Sequence, residues 1–166
     1  TLSEFASALE GCTTGDSLCY VRKFWEIPFR GVDWEFYQTT VRETIMYGGR
    51  EDIIYWQQER GKLAELVEFV KDRNHIAQNW RRGKPNWKKR GIVINQIGKL
   101  AATVYTGEIY DPNCCAIIPN NDDLLGPLWS FCSSPDFHDN VRKINQKMSV
   151  QAKTFLAIGF DVDYWT

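Results

Sequence analysis

The chain has 166 residues, 43% of them hydrophobic and 14% aromatic, and a formal net charge of -1. Such a composition builds a packed core and excludes wholesale disorder, and the length suits one domain spanning residues 1–166. No apolar run approaches the roughly 20 residues that cross a bilayer and no basic-then-apolar leader opens the chain, so a cytoplasmic protein without a membrane partner is expected.

Residues 2–9 read as a helix, with Leu2, Phe5, Ala6 and Leu9 on one face, and the two glycines of "EGCTTGD" break it. "CYVRKFWEI", Cys19 to Ile27, alternates as a strand that Pro28 and Gly31 end. "DWEFYQTTV" reads as a second strand and "MYGGRED" as a turn. From Glu59 to Arg73 the period turns helical, with Leu63, Leu66, Val67 and Val70 on one side. Then comes "NWRRGKPNWKKRG", which gathers six cations between Arg81 and Arg90 without a single acid. Three β-like runs follow, "GIVINQ", "AATVYTG" and "CCAIIP", separated by turn residues such as Gly107 and Asp111-Pro112-Asn113. "SSPDFHDNVRKINQKM" is the clearest helix. Ser134 is its N-cap, Pro135 suits the first helical position, and Phe137, Val141, Ile144 and Met148 make one stripe. "TFLAIGF" reads as a last strand. Short strands and helices in irregular order predict an α+β fold, with Trp25, Trp34, Trp56 and Trp129 in its core.

Local chemistry is sparse. There is no G-x-S-x-G, no Walker loop, no G-x-G-x-x-G and no catalytic Cys–His spacing. Acids such as Glu26, Asp33 and Glu35 lie near aromatic residues, where most acids are simply solvated. Five cysteines (Cys12, Cys19, Cys114, Cys115 and Cys132) form no C-x-x-C pair and stand beside only two histidines, His75 and His138. A structural zinc site needs four close N or S ligands, so reduced thiols and no metal are expected. The basic loop is the one sharp signal. Clustered Lys and Arg neutralise phosphates and release counterions, and Gly83 with Pro85 keeps the segment out of a regular helix. Trp80 and Trp87 suit stacking on a base or anchoring the loop to the core. A charge run is equally a solvated face, so composition alone leaves the choice open.

Ordered motifs add to this. "GCTTGDSLCYVRKFWEI" resembles a G-x-x-T-G-[DN] … [RK]-[FYW]-W-E opening, and "MYGGRED" with "IIYW" is similar to a G-G-x-R … W segment. "NWKKRGIVINQIGKLAATVYTGEIYDPNCCAIIP" is similar to W-[GK]-K-[RK]-G-[IV] … Y-x-G-x-[IL]-[FY]-D … I-[IL]-P. The stretch from "LLGPLWSFCSSPDF" to "FDVDYW" matches an L-W-x-[FY]-[CL]-x-S-x-x-F … V-R-x-I … F-D-[LV] ending. Together these resemble the target-recognition region of adenine-specific DNA methyltransferases and single-chain restriction–modification enzymes, phage-exclusion methyltransferases included. The likeness runs in order from about Gly11 to Trp165. Two positions depart from it: Gly159 stands where the family tends to have proline, and Ser17 where asparagine is common.

The resemblance implies a DNA-specificity domain of a larger enzyme, partnered by double-stranded DNA and by a catalytic methyltransferase domain of the same parent chain. The methyl-transfer signatures are absent from these residues, so S-adenosylmethionine is implied for the parent alone, and no catalytic residue or cofactor for this domain. On that reading Arg81, Arg82, Lys84, Lys88, Lys89 and Arg90 meet phosphates, with Trp87 among them. Arg50 and Asn86 are candidates to read bases, because Arg matches guanine and Asn matches adenine in the major groove. Thr14 and Gly15 belong to a marked loop whose plainer account is a tight turn, with Gly15 at positive φ and Asp16 bonding its own backbone. Three to five neutralised phosphates predict a log–log salt slope of about -3 to -4.5. Two other classes compete: a protein-interaction module with a basic docking loop, and a small carboxylate-based hydrolase.

Overall fold

A computed structural model describes all of residues 1–166. The elements in chain order are β1 (Ala6–Glu10), α1 (Ser17–Tyr20), β2 (Val21–Lys23), β3 (Trp34–Gln38), β4 (Asp52–Tyr55), α2 (Lys62–Val70) and α3 (Ile76–Asn79). There follow β5 (Gly91–Asn95), β6 (Ala102–Tyr105), β7 (Ile109–Tyr110), β8 (Cys114–Pro119), α4 (Leu125–Cys132), α5 (Pro135–Ile144), α6 (Ala152–Leu156) and α7 (Val162–Trp165). The strands make two four-stranded sheets, ordered β1-β8-β5-β6 and β2-β4-β3-β7. All pairs are antiparallel except β3 with β7. The fold is α+β, as the mixed periodicities predict.

Every residue of β5 is buried, because the first sheet is covered on both faces. Ile92 and Ile94 meet Phe131, Phe137, Val141 and Phe155 of α4, α5 and α6. Val93 points the other way, into Tyr105, Tyr110, Ala116 and Ile118. The same alternation in β8 explains why both strands read as unbroken apolar runs. In α5, Ser134 caps the first turn by accepting from the Phe137 N–H, and Phe137 and Val141 are fully enclosed. Each such side chain contributes roughly 1.5–3 kcal/mol. The second sheet packs Tyr37, Ile54 and Ile109 against Trp56, Leu63, Val67, Ile76 and Trp80. Trp87 touches this cluster and the outer face of the first sheet, so the basic loop lies across the seam between the sheets.

Four local expectations are corrected. Residues 2–9 are a short 3-10 turn (Leu2–Glu4) followed by β1, because the backbone of Ala6–Glu10 pairs along β8, and that ladder overrides the local period. Of Cys19–Ile27 only Val21–Lys23 is strand. Asp16 caps a helical turn before it, and the Glu26 carboxylate accepts from the Lys23 N–H at 2.6 Å to close a turn after it. The "TFLAIGF" stretch holds no strand: Thr154–Leu156 end α6, the rest is turn and irregular chain, and Phe155, Ile158 and Phe160 enter the first core. The α5 stripe stops early: Asn145 is extended, and Ile144 and Met148 face solvent. Of the four tryptophans, Trp56 is buried, Trp34 and Trp129 are half-buried, and Trp25 is exposed. No helix is long and apolar enough to cross a membrane.

Candidate nucleic-acid interface

The basic loop is moulded by aromatic packing and a backbone contact rather than by its charges. Trp80, at the end of α3, is buried against Trp56 with ring centroids 5.4 Å apart. Gly83 lies flat on Tyr110, where a Cβ would come within 2.5 Å of the ring. The Tyr110 hydroxyl in turn donates to the Leu9 carbonyl at 3.1 Å. Pro85 sits in the first positions of a short 3-10 turn, Lys84–Asn86. Trp87 then meets Trp56 edge-on at 5.4 Å. Lys88 donates its N–H to the Gly107 carbonyl at 2.8 Å and adopts φ +63°, a left-handed conformation that few lysines take. Gly107 and Tyr110, residues of the Y-x-G-x-[IL]-[FY]-D stretch, thus cradle the loop.

All six cations of the loop are exposed, but they are not equally free. Arg81 and Lys84 both reach Glu59, at 3.0 and 2.7 Å, and Arg82 reaches Glu10 at 3.3 Å. Arg90 meets Asp122 at 2.6 Å. Only Lys88 and Lys89 have no carboxylate partner. The cations of these pairs are about half exposed, although Glu59 and Glu10 are each only 21% exposed, so solvent screens the pairs and a phosphate can compete for the cations. Burial pushes the Glu59 carboxyl up, yet the bonds from Lys84 and Arg81 outweigh it and hold the group below its ordinary range.

Beside the loop opens a cavity of about 830 Å³. Phe36, Trp56 and Trp87 form aromatic wall, Lys84 and Lys88 stand at its basic side, and Glu35, Glu59 and Glu108 line the rest. One edge is built from a turn, Gln57–Glu59, whose three residues all have positive φ (48°, 54° and 65°) without a glycine. The Gln57 side chain closes this turn by accepting from the Lys62 N–H at 2.9 Å. This edge is not legible in the sequence. Nothing local marks a left-handed turn made of two glutamines and a glutamate, and Glu108 joins the cavity only through sheet pairing.

Three expected contacts are corrected. Asn86 is no base reader: it is 2% exposed, and its amide donates to the Tyr110 hydroxyl at 3.3 Å and the Ala116 carbonyl at 3.1 Å. Arg50, whose side chain is 28% exposed, is held by partners within the chain. It donates to Thr106 at 2.5 Å, to Glu108 at 3.0 Å and to the Val104 carbonyl, and stacks over Tyr47. Thr14 is buried, while Gly15 takes φ +76° against Ile76 in the tight turn of the plainer account. Asp16 bonds the Cys19 N–H, as that account requires. The structure therefore leaves Arg81, Arg82, Lys84, Lys88, Lys89 and Arg90 exposed along the loop with Trp87 half-buried among them, and holds Arg50, Asn86 and Thr14 in contacts within the chain. Profiles of known protein families do not match the chain, and no curated protein sequence matches it either.

Proposed function

We propose that this chain is a DNA target-recognition domain, serving an adenine-specific methyltransferase or restriction–modification enzyme whose catalytic part lies elsewhere. The observation that carries the reading is the pair Lys88 and Lys89. They are cations without acidic partners, on an exposed loop cradled by Gly107 and Tyr110, and flanked by four further exposed cations paired with Glu59, Glu10 and Asp122. Phosphate contacts at this loop supply register, and sequence readout comes from side chains other than Asn86 and Arg50. The motif order from Gly11 to Trp165 supports the assignment to that class of enzyme, and S-adenosylmethionine belongs to the parent's catalytic part.

Binding to random duplex DNA across a salt series tests it. With two unpaired lysines leading, the log–log slope is expected near -2, shallower than the bare count of cations predicts. Lys88→Glu/Lys89→Glu is expected to abolish binding with the fold intact. A slope of zero sinks the proposal.

A second reading has its own observation. Phe24, Trp25, Phe29 and Val32 are all exposed within one short stretch, as a protein-docking module would have them. On that reading the charge reversal removes binding to an acidic partner and leaves DNA affinity unchanged. The hydrolase reading gains nothing from the cavity. Glu35, Glu59 and Glu108 are each paired with an arginine, and Glu59 is held ionised, the reverse of a proton donor.

A further inference from the structure

We propose that the cavity beside Lys88 receives one unstacked nucleobase of the bound DNA, an inference that rests on the DNA-recognition reading. Its volume, about 830 Å³, falls among those of pockets that enclose a small organic ligand. Phe36 is 52% exposed on its wall and Trp87 is half-buried beside it. Every base has a π-face that stacks on such rings regardless of sequence. Glu35 and Gln58 add acceptors, which suit the exocyclic amino group of cytosine or adenine better than the carbonyl edge of thymine. Lys88 joins the two sites. It lines the cavity and belongs to the unpaired lysine couple, so a phosphate held there brings its own nucleoside to the opening.

The backbone points to the same place. Five non-glycine residues have positive φ, and four of them, Gln57, Gln58, Glu59 and Lys88, form or adjoin the cavity edge. Such conformations cost on the order of 1–3 kcal/mol each and gather at ligand clamps. Here they turn Gln58 and Glu59 to one side of the opening and Lys88 to another. A merely solvated loop has no need of four strained residues around one hollow.

Fluorescence anisotropy with three labelled probes tests the pocket: a fully paired duplex, the same duplex carrying one extrahelical cytosine, and the corresponding single strand. The wild-type chain is expected to bind a probe with an unstacked base about tenfold more tightly than the paired duplex, the stacking gain of one base on one ring. Whether the extrahelical or the single-stranded probe gains most tells which source of the base the pocket serves. Phe36→Ala, which removes an exposed ring and leaves the core untouched, is expected to erase the preference and to preserve salt-sensitive binding of the paired duplex. Equal affinity for all three probes, or a preference that survives Phe36→Ala, overturns the pocket while the DNA reading stands. Loss of salt-sensitive binding to the paired duplex itself, in the wild-type chain, overturns the DNA reading and the pocket with it.

Discussion

Lys88 and Gly107 are locked backbone to backbone: the Lys88 N–H donates to the Gly107 carbonyl at 2.8 Å, and a Cβ at Gly107 would sit 2.7 Å from the Lys88 Cα. Gly107 itself has φ +110° and Lys88 φ +63°. Two substitutions of opposite sign follow. Gly107→Ala forces a side chain into backbone and is expected to cost about 3 kcal/mol in chemical denaturation. Lys88→Gly relieves a left-handed lysine, against the greater chain entropy of an unfolded glycine. It is expected to raise stability by about 0.5 kcal/mol while weakening DNA binding. A Lys88→Gly protein less stable than wild type would mean that the lysine side chain is a structural strut and not a phosphate contact held under strain.

Arg50 holds the two sheets at the cavity's far side. It lies on the segment before β4, and its partners Val104, Thr106 and Glu108 lie on and after β6. Arg50 and Glu108 side chains are only 28% and 19% exposed, so their pair is shielded more than a surface bridge. Lysine cannot reproduce the guanidinium fork that serves three acceptors at once. Arg50→Lys is therefore expected to cost about 2 kcal/mol. DNA bound by the variant should show the same sequence preference as wild type, as read by sequencing a retained random pool. A changed preference would restore Arg50 as a base reader.

The parts that were legible in the sequence are those governed by local physics. The α5 cap at Ser134, the helical period at Leu63 and Val67, and the apolar runs of β5 and β8 are all written in residues close together in the chain. Illegible were the elements decided by distant partners. Ala6–Glu10 carries a helical period yet pairs with β8, more than a hundred residues away. The candidate site divides along the same line. The density of cations could be read directly, but Glu59, Glu10 and Asp122 reach them only through the fold. Asn86 looked like a loop residue because its neighbours are charged. Its burial depends on Tyr110 of β7 and Ala116 of β8, one from each sheet.

Asp111 ties the β7–β8 corner by accepting from the Asn113 N–H at 2.8 Å. Burial raises its carboxyl above the ordinary range, and Asp52 adds to that; the Asn113 bonds and the neighbouring Tyr37 only partly offset it. A folded-state value above the unfolded one means that ionisation opposes folding. The protein forfeits this stability as pH rises from the unfolded carboxylate value, about 3.9, through the raised one. Asp111→Asn keeps the acceptor for Asn113 and removes the charge. It is expected to be more stable than wild type at neutral pH, with the advantage disappearing below about pH 4. Paired denaturation curves at several pH values check this, since other carboxylates cancel in the difference. An advantage that persists in acid would trace the effect to packing.

Glu59 sets how much of the basic loop is available to DNA, since one carboxylate occupies both Arg81 and Lys84. Its pKa is lowered overall, so the pair stabilises the fold above the unfolded carboxylate value, about 4.3, and that contribution fades as pH falls through the lowered one. Glu59→Gln removes the competitor and keeps much of the side chain's shape. Some stability is lost at neutral pH, and the variant should lack the corresponding acid-side decline. Arg81 and Lys84 then join Lys88 and Lys89, and duplex binding is expected to tighten, with the log–log salt slope steepening from roughly -2 toward roughly -3.6. An unchanged slope would show that Arg81 and Lys84 face away from the duplex. The phosphate contacts would then contract to Lys88 at the cavity and its neighbour Lys89.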